Sequence, residues 1–285
     1  DVSFNYSATS SSSLYQNDLL APRIAPRVGA VGTECVEEDG CLYYNVFEPD
    51  GVTAEQAAQL AGTGIQTGLV TQTIYSGFVT GDIGFTIPSA SDPIAMVFGL
   101  ERREQDYERT SDTVYQEGQL LGLGGPNMSF AGEIDVNDIY TEFQFPVLDN
   151  LSFDFGARYS DYSTTGGDWT YKVGGDFTLA ENYMFRASFN RAVRAPNVEE
   201  LFSSQVISLW DGADGCAVTE DGNITYSEGQ CLNTGMTGAQ YGNVNESPAG
   251  QYNEITGGVA SLEPEEAETI TFGLVANPFD NFSFS

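Results

Sequence analysis

The side chains that most often perform enzyme chemistry are scarce in this chain. Its 285 residues include no histidine, and lysine and arginine together number only 10. Histidine is the commonest general base and a common metal ligand, and the single lysine, Lys172, leaves little scope for a Ser-x-x-Lys or Schiff-base site. No Gly-x-Ser-x-Gly sequence occurs, and Gly122, Gly124 and Gly125 lack the spacing of a phosphate-binding loop. The sequence therefore predicts a protein that is not an enzyme and needs no cofactor.

Acidic residues dominate the charge of the chain. Aspartate and glutamate total 41, and the net charge is −31. Nucleic acid is excluded as a partner, because phosphate binding needs clustered cations. The acidic residues are spread along the whole chain, so we interpret them as a solvated surface rather than as an acidic ligand vestibule. Glu37, Glu38, Asp39, Asp211 and Asp214 lie in no Asp-x-Asp-x-Asp-Gly loop, and we predict no metal site.

The strongest pattern in the sequence is an alternation of apolar and polar residues, which is the side-chain period of a β-strand. Between 151 and 159, one face carries Leu151, Phe153, Phe155, Ala157 and Tyr159. The same alternation predicts strands at 74–86, 94–102, 139–147, 169–179, 183–189, 269–276 and 281–285, with a weaker one at 2–6. No apolar run reaches the length of a helical membrane span, about 18 residues.

A β-sandwich would also alternate, but the two faces of these strands differ in a way that favours a membrane barrel. Full charges such as Asp154, Lys172 and Arg186 lie on the polar face in mid-strand, while the apolar face is rich in Phe, Tyr and Trp. Transmembrane strands have an apolar outer face with aromatic residues at both ends, which Trp169 and Phe177 would provide. We therefore predict an all-β fold, an antiparallel up-and-down transmembrane β-barrel.

The lengths of the connections also favour a barrel. Short turns are predicted at 87–92, 147–150, 179–182 and 277–280, and they alternate with long segments at 10–70, 108–129 and 193–264 and a moderate one at 160–168. Short periplasmic turns and long extracellular loops are the outer-membrane pattern, and an odd count of about nine strands does not suit a complete bacterial barrel. We therefore expect residues 1–285 to be part of a larger barrel domain.

The four cysteines fall within two of the long segments. Cys35 and Cys41 lie close together in the first, and Cys216 and Cys231 lie in the last. An even number of cysteines in extracellular loops is typical of an oxidising compartment. Zinc is the alternative, but these spacings and the absence of histidine suit a zinc site poorly. We therefore predict the bridges Cys35–Cys41 and Cys216–Cys231, each closing a ring within one loop.

Three motifs resemble those of a known family. Residues 183–202 read YMFRASFNRAVRAPNVEELF, which resembles the strand and the RAPN-x-x-E-L-F signature of TonB-dependent receptor barrels. The matching residues after the strand are Arg194, Ala195, Pro196, Asn197, Glu200, Leu201 and Phe202. Residues 262–273, with Pro264 and Glu265, resemble the family's L-x-PE-x-A-x-x-x-T-x-G entry into the next strand, and residues 156–162 resemble its G-x-R-Y-S-D-Y segment.

The resemblance implies a plugged barrel of about 22 strands, with the plug domain and the terminal strands outside this chain. It implies a Gram-negative outer membrane, with lipid around the barrel, and uptake of a scarce nutrient such as an iron chelate, cobalamin or an oligosaccharide. The TonB complex would deliver the energy through the plug. A passive porin-type channel and a surface adhesin or other β-rich binding protein are the alternatives, and the succession of two specific motifs argues against both.

The motif residues are interpreted as structural. Pro196 fixes its φ angle and ends a strand, Asn197 suits the start of a helix, and Arg194 is expected to pair with a carboxylate at the start of the next strand. The candidate carboxylates are Glu263, Glu265, Glu266 and Glu268. The charges expected to face the lumen, and to pair with one another or with a plug, are Asp154, Arg158, Lys172, Asp176 and Arg186.

Aromatic residues of the last long loop are the candidates for ligand contact. Trp210, Tyr226, Tyr241 and Tyr252 lie within 203–261, and exposed loop aromatics suit both ligand capture and simple loop packing. We expect ligand contacts in the loops 14–70 and 193–264, with Trp210 and Tyr241 as the strongest single candidates.

Overall fold

The structure, a computed structural model, describes residues 1–29, 34–36, 40–43, 47–49, 51–180, 182–279 and 282–284. Within these ranges nine strands form one sheet, and two further strands form a separate hairpin. The strands of the sheet are β1 (Val2–Leu19), β2 (Ala61–Thr86), β3 (Pro93–Ser111), β4 (Phe130–Leu148), β5 (Leu151–Tyr162), β6 (Gly166–Ala180), β7 (Tyr183–Arg194), β10 (Glu265–Phe279) and β11 (Phe282–Phe284). The hairpin strands are β8 (Val206–Asp211) and β9 (Gln251–Thr256), and the helices are α1 (Ala21–Arg27), α2 (Ala54–Leu60), α3 (Thr113–Gln116), α4 (Val198–Phe202) and α5 (Glu228–Leu232). None of the described helices is long and apolar enough to cross a membrane.

The sheet is an antiparallel meander. Each strand pairs with the next along the chain, and β10 pairs with β7 across the long segment that contains the β8–β9 hairpin. Antiparallel neighbours can be joined by very short turns, and residues 149–150 between β4 and β5 are such a turn. The predicted all-β antiparallel fold is confirmed, and so is the count of nine strands in the sheet.

Several strands are longer than the sequence predicted. β1 continues to Leu19 and β2 begins at Ala61, so the segment predicted as a loop at 10–70 is reduced to 20–60. β3 and β4 likewise shorten the segment predicted at 108–129 to 112–129. The moderate loop predicted at 160–168 was wrong, because a turn at 163–165 joins β5 to β6.

The physical reason is that backbone pairing does not require an apolar face. Residues 10–13 are all serine, and they pair in register with residues 69–66 of β2. Where a strand rises beyond the apolar band, both of its faces contact water, so the alternation of side chains disappears while the hydrogen-bonded ladder continues. The alternation in the sequence therefore indicates how far the apolar band extends along each strand, and not the full length of the strand.

One face of the sheet is an exposed apolar band. Phe155 lies directly opposite Phe143 on one side and Val173 on the other. Large apolar side chains of this face remain open to the surroundings, including Trp169, which is 55% exposed, and Phe272, which is 81% exposed. An apolar surface of this extent is a contact surface, and its alternation with polar residues matches the lipid-facing side of a transmembrane strand.

The opposite face is polar, and the buried core lies at one end of the sheet. Glu101, Asp138 and Ser160 line up across β3, β4 and β5 on the polar face. The largest described core cluster contains Ile134, Val136, Val198 and Leu201, and a second contains Leu20, Tyr115 and Leu120. Both clusters lie at the end that carries the long connections, which we call the rim. The loops therefore fold back onto the polar, inner face there.

Replacing Ala187 by Arg should destabilise the sheet in a membrane. Ala187 lies in the apolar band between Gly175 and Phe272. A cation in the middle of the lipid face of such a barrel costs about 2–4 kcal/mol. The measurement is urea unfolding of the full-length protein in lipid vesicles, followed by the loss of β-sheet circular dichroism.

Ser188→Arg is the matched control, because it places the same side chain one residue later on the inner face, beside Gly174 and Thr271. We expect that variant to lose less than about 1 kcal/mol. Equal losses for the two variants would contradict the assignment of the faces.

Candidate functional site

The motif at 194–202 ends one strand and begins a helix. β7 ends at Arg194, and the buried Pro196 has no N–H with which to continue the ladder. The side chain of Asn197 accepts a hydrogen bond from the backbone N–H of Glu200 at 2.9 Å, and the Glu200 carboxylate accepts one from the backbone N–H of Asn197 at 2.8 Å. This capping box satisfies two N–H groups that the first turn of α4 would otherwise leave unpaired.

α4 lies against the inner face of the sheet. Val198 and Leu201 are buried against Ile134 and Val136 of β4, with Tyr107, Phe130 and Tyr162 packed around them. A methyl group added at Gly132 would lie 2.5 Å from the ring of Phe202, so the absence of a side chain there lets α4 approach the strand closely. The apolar half of the motif therefore fixes the root of the long loop onto the barrel wall.

Arg194 joins α4 to the next strand. Its guanidinium donates to both carboxylate oxygens of Glu200 at 3.0 and 3.1 Å and to both oxygens of Glu265 at 2.9 and 2.7 Å. The planar fork of arginine suits such paired oxygens, and we call Arg194, Glu200 and Glu265 the rim cluster. Glu265 lies directly opposite Arg194 in the ladder, whereas Glu266 pairs with Arg191 at 2.8 Å.

The rim cluster also lowers the pKa of its two carboxyl groups. Hydrogen bonds from Arg194, and then from the backbone N–H of Asn197, hold the pKa of Glu200 below its ordinary range. A carboxyl whose pKa is lower in the folded state stabilises that state fully above the ordinary glutamate pKa of about 4.3, and this stabilisation is lost as the pH falls through the lower folded pKa.

A second arginine also holds α4. Arg109 of β3 forms an ion pair with Glu199, and its guanidinium lies 4.8 Å from the centre of the Phe130 ring. Its side chain is 16% exposed, compared with 51% for Arg194. Sequence analysis missed Arg109, because its partner is 90 residues away and no local spacing indicates the pair.

Charges on the inner face of the sheet pair with one another, as the sequence predicted for several of them. Arg158 donates to Asp138 at 2.9 and 2.7 Å and to Glu101 at 2.9 Å. Ser160 also donates to Asp138, whose side chain is 1% exposed. Lys172 pairs with Asp154 at 2.9 Å. Asp176 lies directly opposite Arg186 in the ladder, without an ion pair between the two side chains in the part of the chain that the structure describes.

Both predicted disulfide bridges are present in the loops. Cys35 and Cys41 are joined with their Cα atoms 5.4 Å apart, and Cys216 and Cys231 are joined with theirs 5.7 Å apart. The second bridge fastens α5 to the segment that follows β8. The long loop is therefore organised by a hairpin, a bridge and α4 rather than being a featureless connection.

The four aromatic candidates of this loop form two pairs. The rings of Trp210 and Tyr252 lie opposite one another in the β8–β9 hairpin, with centres 5.9 Å apart. The hydroxyl of Tyr241 donates to the backbone oxygen of Tyr226 at 3.0 Å, and the hydroxyl of Tyr252 accepts from the backbone N–H of Ser247 at 3.1 Å. Trp210 and Tyr226 are 45% and 50% exposed. Tyr241 and Tyr252 thus hold the loop together, while the side chains of Trp210 and Tyr226 are each about half exposed.

Among the residues that the structure describes, the loop carboxylates considered for metal binding do not form a metal site. Asp214 accepts a hydrogen bond from the backbone N–H of Cys216 at 2.8 Å. Glu37, Glu38 and Asp39 lie outside the described residues. In the part of the chain that the structure describes, no three Cys, Asp or Glu side chains are placed to hold a metal ion.

The chain matches a known protein family along nearly its whole length. Residues 2–285 match the family described as TonB dependent receptor-like, beta-barrel. The chain belongs to this family. The TonB-dependent receptor barrel lies in the outer membrane of a Gram-negative bacterium, so the apolar band of the sheet faces its lipid.

Individual relatives of this receptor barrel are distant. The ferric enterobactin receptor of Pseudomonas aeruginosa is 22% identical over 116 residues, which are 41% of this chain and 15% of that protein. A solved variant of that organism's ferric enterobactin receptor PfeA, in complex with enterobactin, is 17% identical with a TM-score of 0.50 and matches 99% of this chain and 31% of its own. The siderophore receptor PirA of Acinetobacter baumannii is 14% identical with a TM-score of 0.49, over 97% of this chain and 30% of its own.

The receptor barrel described here therefore spans less than a third of the length of these proteins. At this level of identity the PfeA structure shows a shared fold. The relatives are named as receptors and not as enzymes, in agreement with the scarcity of catalytic side chains in this chain.

Replacing Arg194 by Gln should loosen the root of the loop, because Glu200 and Glu265 lose the cation that joins them. We expect the backbone N–H groups of α4 to exchange with deuterium about threefold faster or more, since their protection depends on local opening. In the unmodified protein this protection should be complete above about pH 4.3 and should decline as the pH falls through the lower pKa of folded Glu200. Hydrogen exchange read by mass spectrometry measures both effects.

Arg191→Gln provides the control for this variant. Arg191 lies on the same strand and pairs with Glu266 rather than with α4. Its removal should leave the exchange of α4 unchanged, and an equal acceleration in both variants would refute a specific role of the rim cluster.

Proposed function

We propose that this chain supplies part of the wall and the extracellular loops of an outer-membrane receptor. The receptor binds an iron chelate at the cell surface and imports it with energy delivered by TonB through a plug domain. The observation that best supports this function is the ordered loop 195–264, which is held over the inner face of the barrel by α4, the rim cluster and a disulfide.

The placement of the long connections supports capture rather than free passage. The long connections from β1 to β2, from β3 to β4 and from β7 to β10 all leave the sheet at the rim, whereas the opposite end of the sheet has short turns such as 149–150. In a passive pore, ordered loops of this size would mainly obstruct flow. In a receptor they form the binding surface, and ligand contacts offset the cost of ordering them.

The printed names of the relatives favour an iron chelate over cobalamin or an oligosaccharide. A relative from Pseudomonas aeruginosa is named as a ferric enterobactin receptor, and a solved structure from the same organism contains enterobactin. The family assignment covers the barrel, and the participation of TonB and a plug is part of the proposal.

The functional test measures binding and uptake separately. Iron-limited cells carrying the full-length gene are given radiolabelled ferric enterobactin, with and without a functional TonB. We expect surface binding to persist and uptake to stop without TonB, because binding needs the loops alone whereas import needs energy. Uptake that continues without TonB would favour the passive porin, and a receptor that takes up cobalamin or an oligosaccharide instead would overturn the substrate assignment.

Within the loop, Trp210 is the leading anchor and Tyr241 the second. Trp210→Ala should weaken binding of the chelate by about 2 kcal/mol, a loss typical of an aromatic anchor at the centre of a site. Tyr241→Ala should weaken it as well, partly by releasing Tyr226. Equilibrium binding of ferric enterobactin to the purified receptor measures both.

Trp169→Ala is the matched control, because Trp169 is the other of the chain's two tryptophans and lies in the lipid-facing band. It should leave binding unchanged. If deletion of residues 203–261 also leaves binding unchanged, this loop has no part in recognition.

A further inference from the structure

A cavity of about 520 Å³ lies at the inner face of the rim, beside α4. Its size is within the usual range of small-molecule sites, roughly 300–1,000 Å³. Its lining includes the apolar side chains of Ile134, Val136 and Val198, and the polar residues Arg103, Gln105, Tyr107, Tyr162, Arg194 and Asn197. An apolar wall with a few convergent polar groups is the usual composition of a ligand site.

Arg103 is a charged side chain of this cavity that makes no hydrogen bond to any of the described residues. Its Nε atom is buried and has no hydrogen-bond partner. Among the residues that the structure describes, its guanidinium forms no ion pair and no hydrogen bond. A buried donor without an acceptor gives up its hydration with no compensation, and the loss is greater for a charged group. Such a group calls for a partner.

The neighbouring cations are already committed to carboxylates. Arg194 pairs with Glu200 and Glu265 in the rim cluster, and Arg109 pairs with Glu199. Arg194 lines the same cavity with its donors engaged by carboxylates, whereas the donors of Arg103 have no partner among the described residues.

One carboxylate interacts electrostatically with Arg103 and, among the described residues, accepts no hydrogen bond from it. Asp138 experiences the charge of Arg103, but its oxygens already accept hydrogen bonds from Arg158 and Ser160. Arg103 therefore keeps its donors available on the cavity side of the sheet.

We propose that this cavity is an anion-binding subsite, in which Arg103 donates to paired anionic oxygens carried on an aromatic ring of the ligand, as in a catecholate. The guanidinium fork matches two adjacent oxygens, and the aromatic residues Tyr107 and Tyr162 lie in the cavity lining, where an aromatic group of the ligand would contact them. The chain as a whole carries a charge of −31 and repels anions, so a cation at the barrel wall without a hydrogen-bond partner among the described residues gives an anionic ligand a local point of attraction. This inference rests on the proposed function. It specifies that the chelate is an anion and that Arg103 is the residue that recognises its charge.

Binding to the full-length receptor tests the subsite. Ferric enterobactin, an anionic catecholate chelate, and ferrichrome, an uncharged hydroxamate chelate, are titrated against the purified protein. Arg103→Gln should weaken ferric enterobactin binding about tenfold or more, because a charge-assisted hydrogen bond is lost. Arg103→Lys should restore part of the affinity, because it keeps the charge without the fork. Ferrichrome should bind more weakly than ferric enterobactin, and its binding should not change in either variant.

Arg102→Gln is the matched control. Arg102 is the preceding residue of β3, and it lies on the outer face with Leu100, paired with Glu104 at 2.8 Å and Asp135 at 3.1 Å. The substitution removes the same charge from the neighbouring position, and affinity should stay within about twofold of the unmodified receptor. Equal losses in Arg102→Gln and Arg103→Gln would overturn the proposal.

Chemical labelling separates failure of the subsite from failure of the proposed function. Phenylglyoxal modifies accessible arginines, and 2,3-dihydroxybenzoate is a small catecholate that needs no transport. In the full-length receptor, 2,3-dihydroxybenzoate should protect Arg103 from labelling and leave Arg102 unprotected, as mass spectrometry would show. Protection without any uptake of an iron chelate would uphold the subsite and refute the proposed function. An Arg103 that is not labelled at all, together with unchanged binding in Arg103→Gln, would show that another part of the receptor occupies it and would overturn the proposal.

Discussion

In the hydrocarbon core of a bilayer no water can hydrogen-bond a peptide group, so every strand that crosses it must be paired along its length. From β2 to β7 the sheet satisfies this constraint, because each of these strands pairs with a neighbour on both sides in a continuous antiparallel ladder that β1 and β10 extend. Because the backbone is satisfied within the ladder, the two faces can differ. One carries an apolar band exposed to lipid, exemplified by Phe272, and the other carries paired charges such as Arg158 and Asp138. The described core clusters lie at the rim, where the loops extend beyond the lipid and pack against the inner face of the sheet.

At the rim a small number of arginines determines how the acidic segments are held. The chain has 10 basic residues against 41 acidic ones, so most carboxylates must face water. Those next to Arg109 and Arg194 are instead tied to the wall, and they bring α4 and the start of the long loop with them. Removing such an ion pair costs little when it is exposed, so the importance of these contacts lies in the position they give to the loop. That position connects the fold to the proposed capture of a ligand.

The apolar band could be predicted from the sequence because alternation is a direct record of which face meets lipid. The strand from 151 to 159 was predicted from five alternating residues, and β5 extends from Leu151 to Tyr162. The parts of β1 and β2 nearest the rim could not be predicted. Their serine and threonine side chains face water on both sides of the sheet, so they show no alternation although the backbones pair. The local part of the site was also predictable. Pro196 and Asn197 encode a strand end and a helix cap within a few residues, and the cysteine spacing encodes the two bridges.

The sequence by itself thus determined the class of fold, the direction of each face, the capped turn after β7 and the family resemblance, because each depends on residues near one another in the chain. Only the tertiary structure decided which distant side chains meet. Register across strands places Glu265 opposite Arg194, and the packing of α4 brings Glu199 to Arg109. It also separates two adjacent arginines, giving Arg102 two carboxylate partners on the outer face and leaving Arg103 without a hydrogen-bond partner among the described residues at the cavity. Local sequence records neither pairing register nor the exclusion of water, and these are the two conditions that make Arg103 a candidate binding residue.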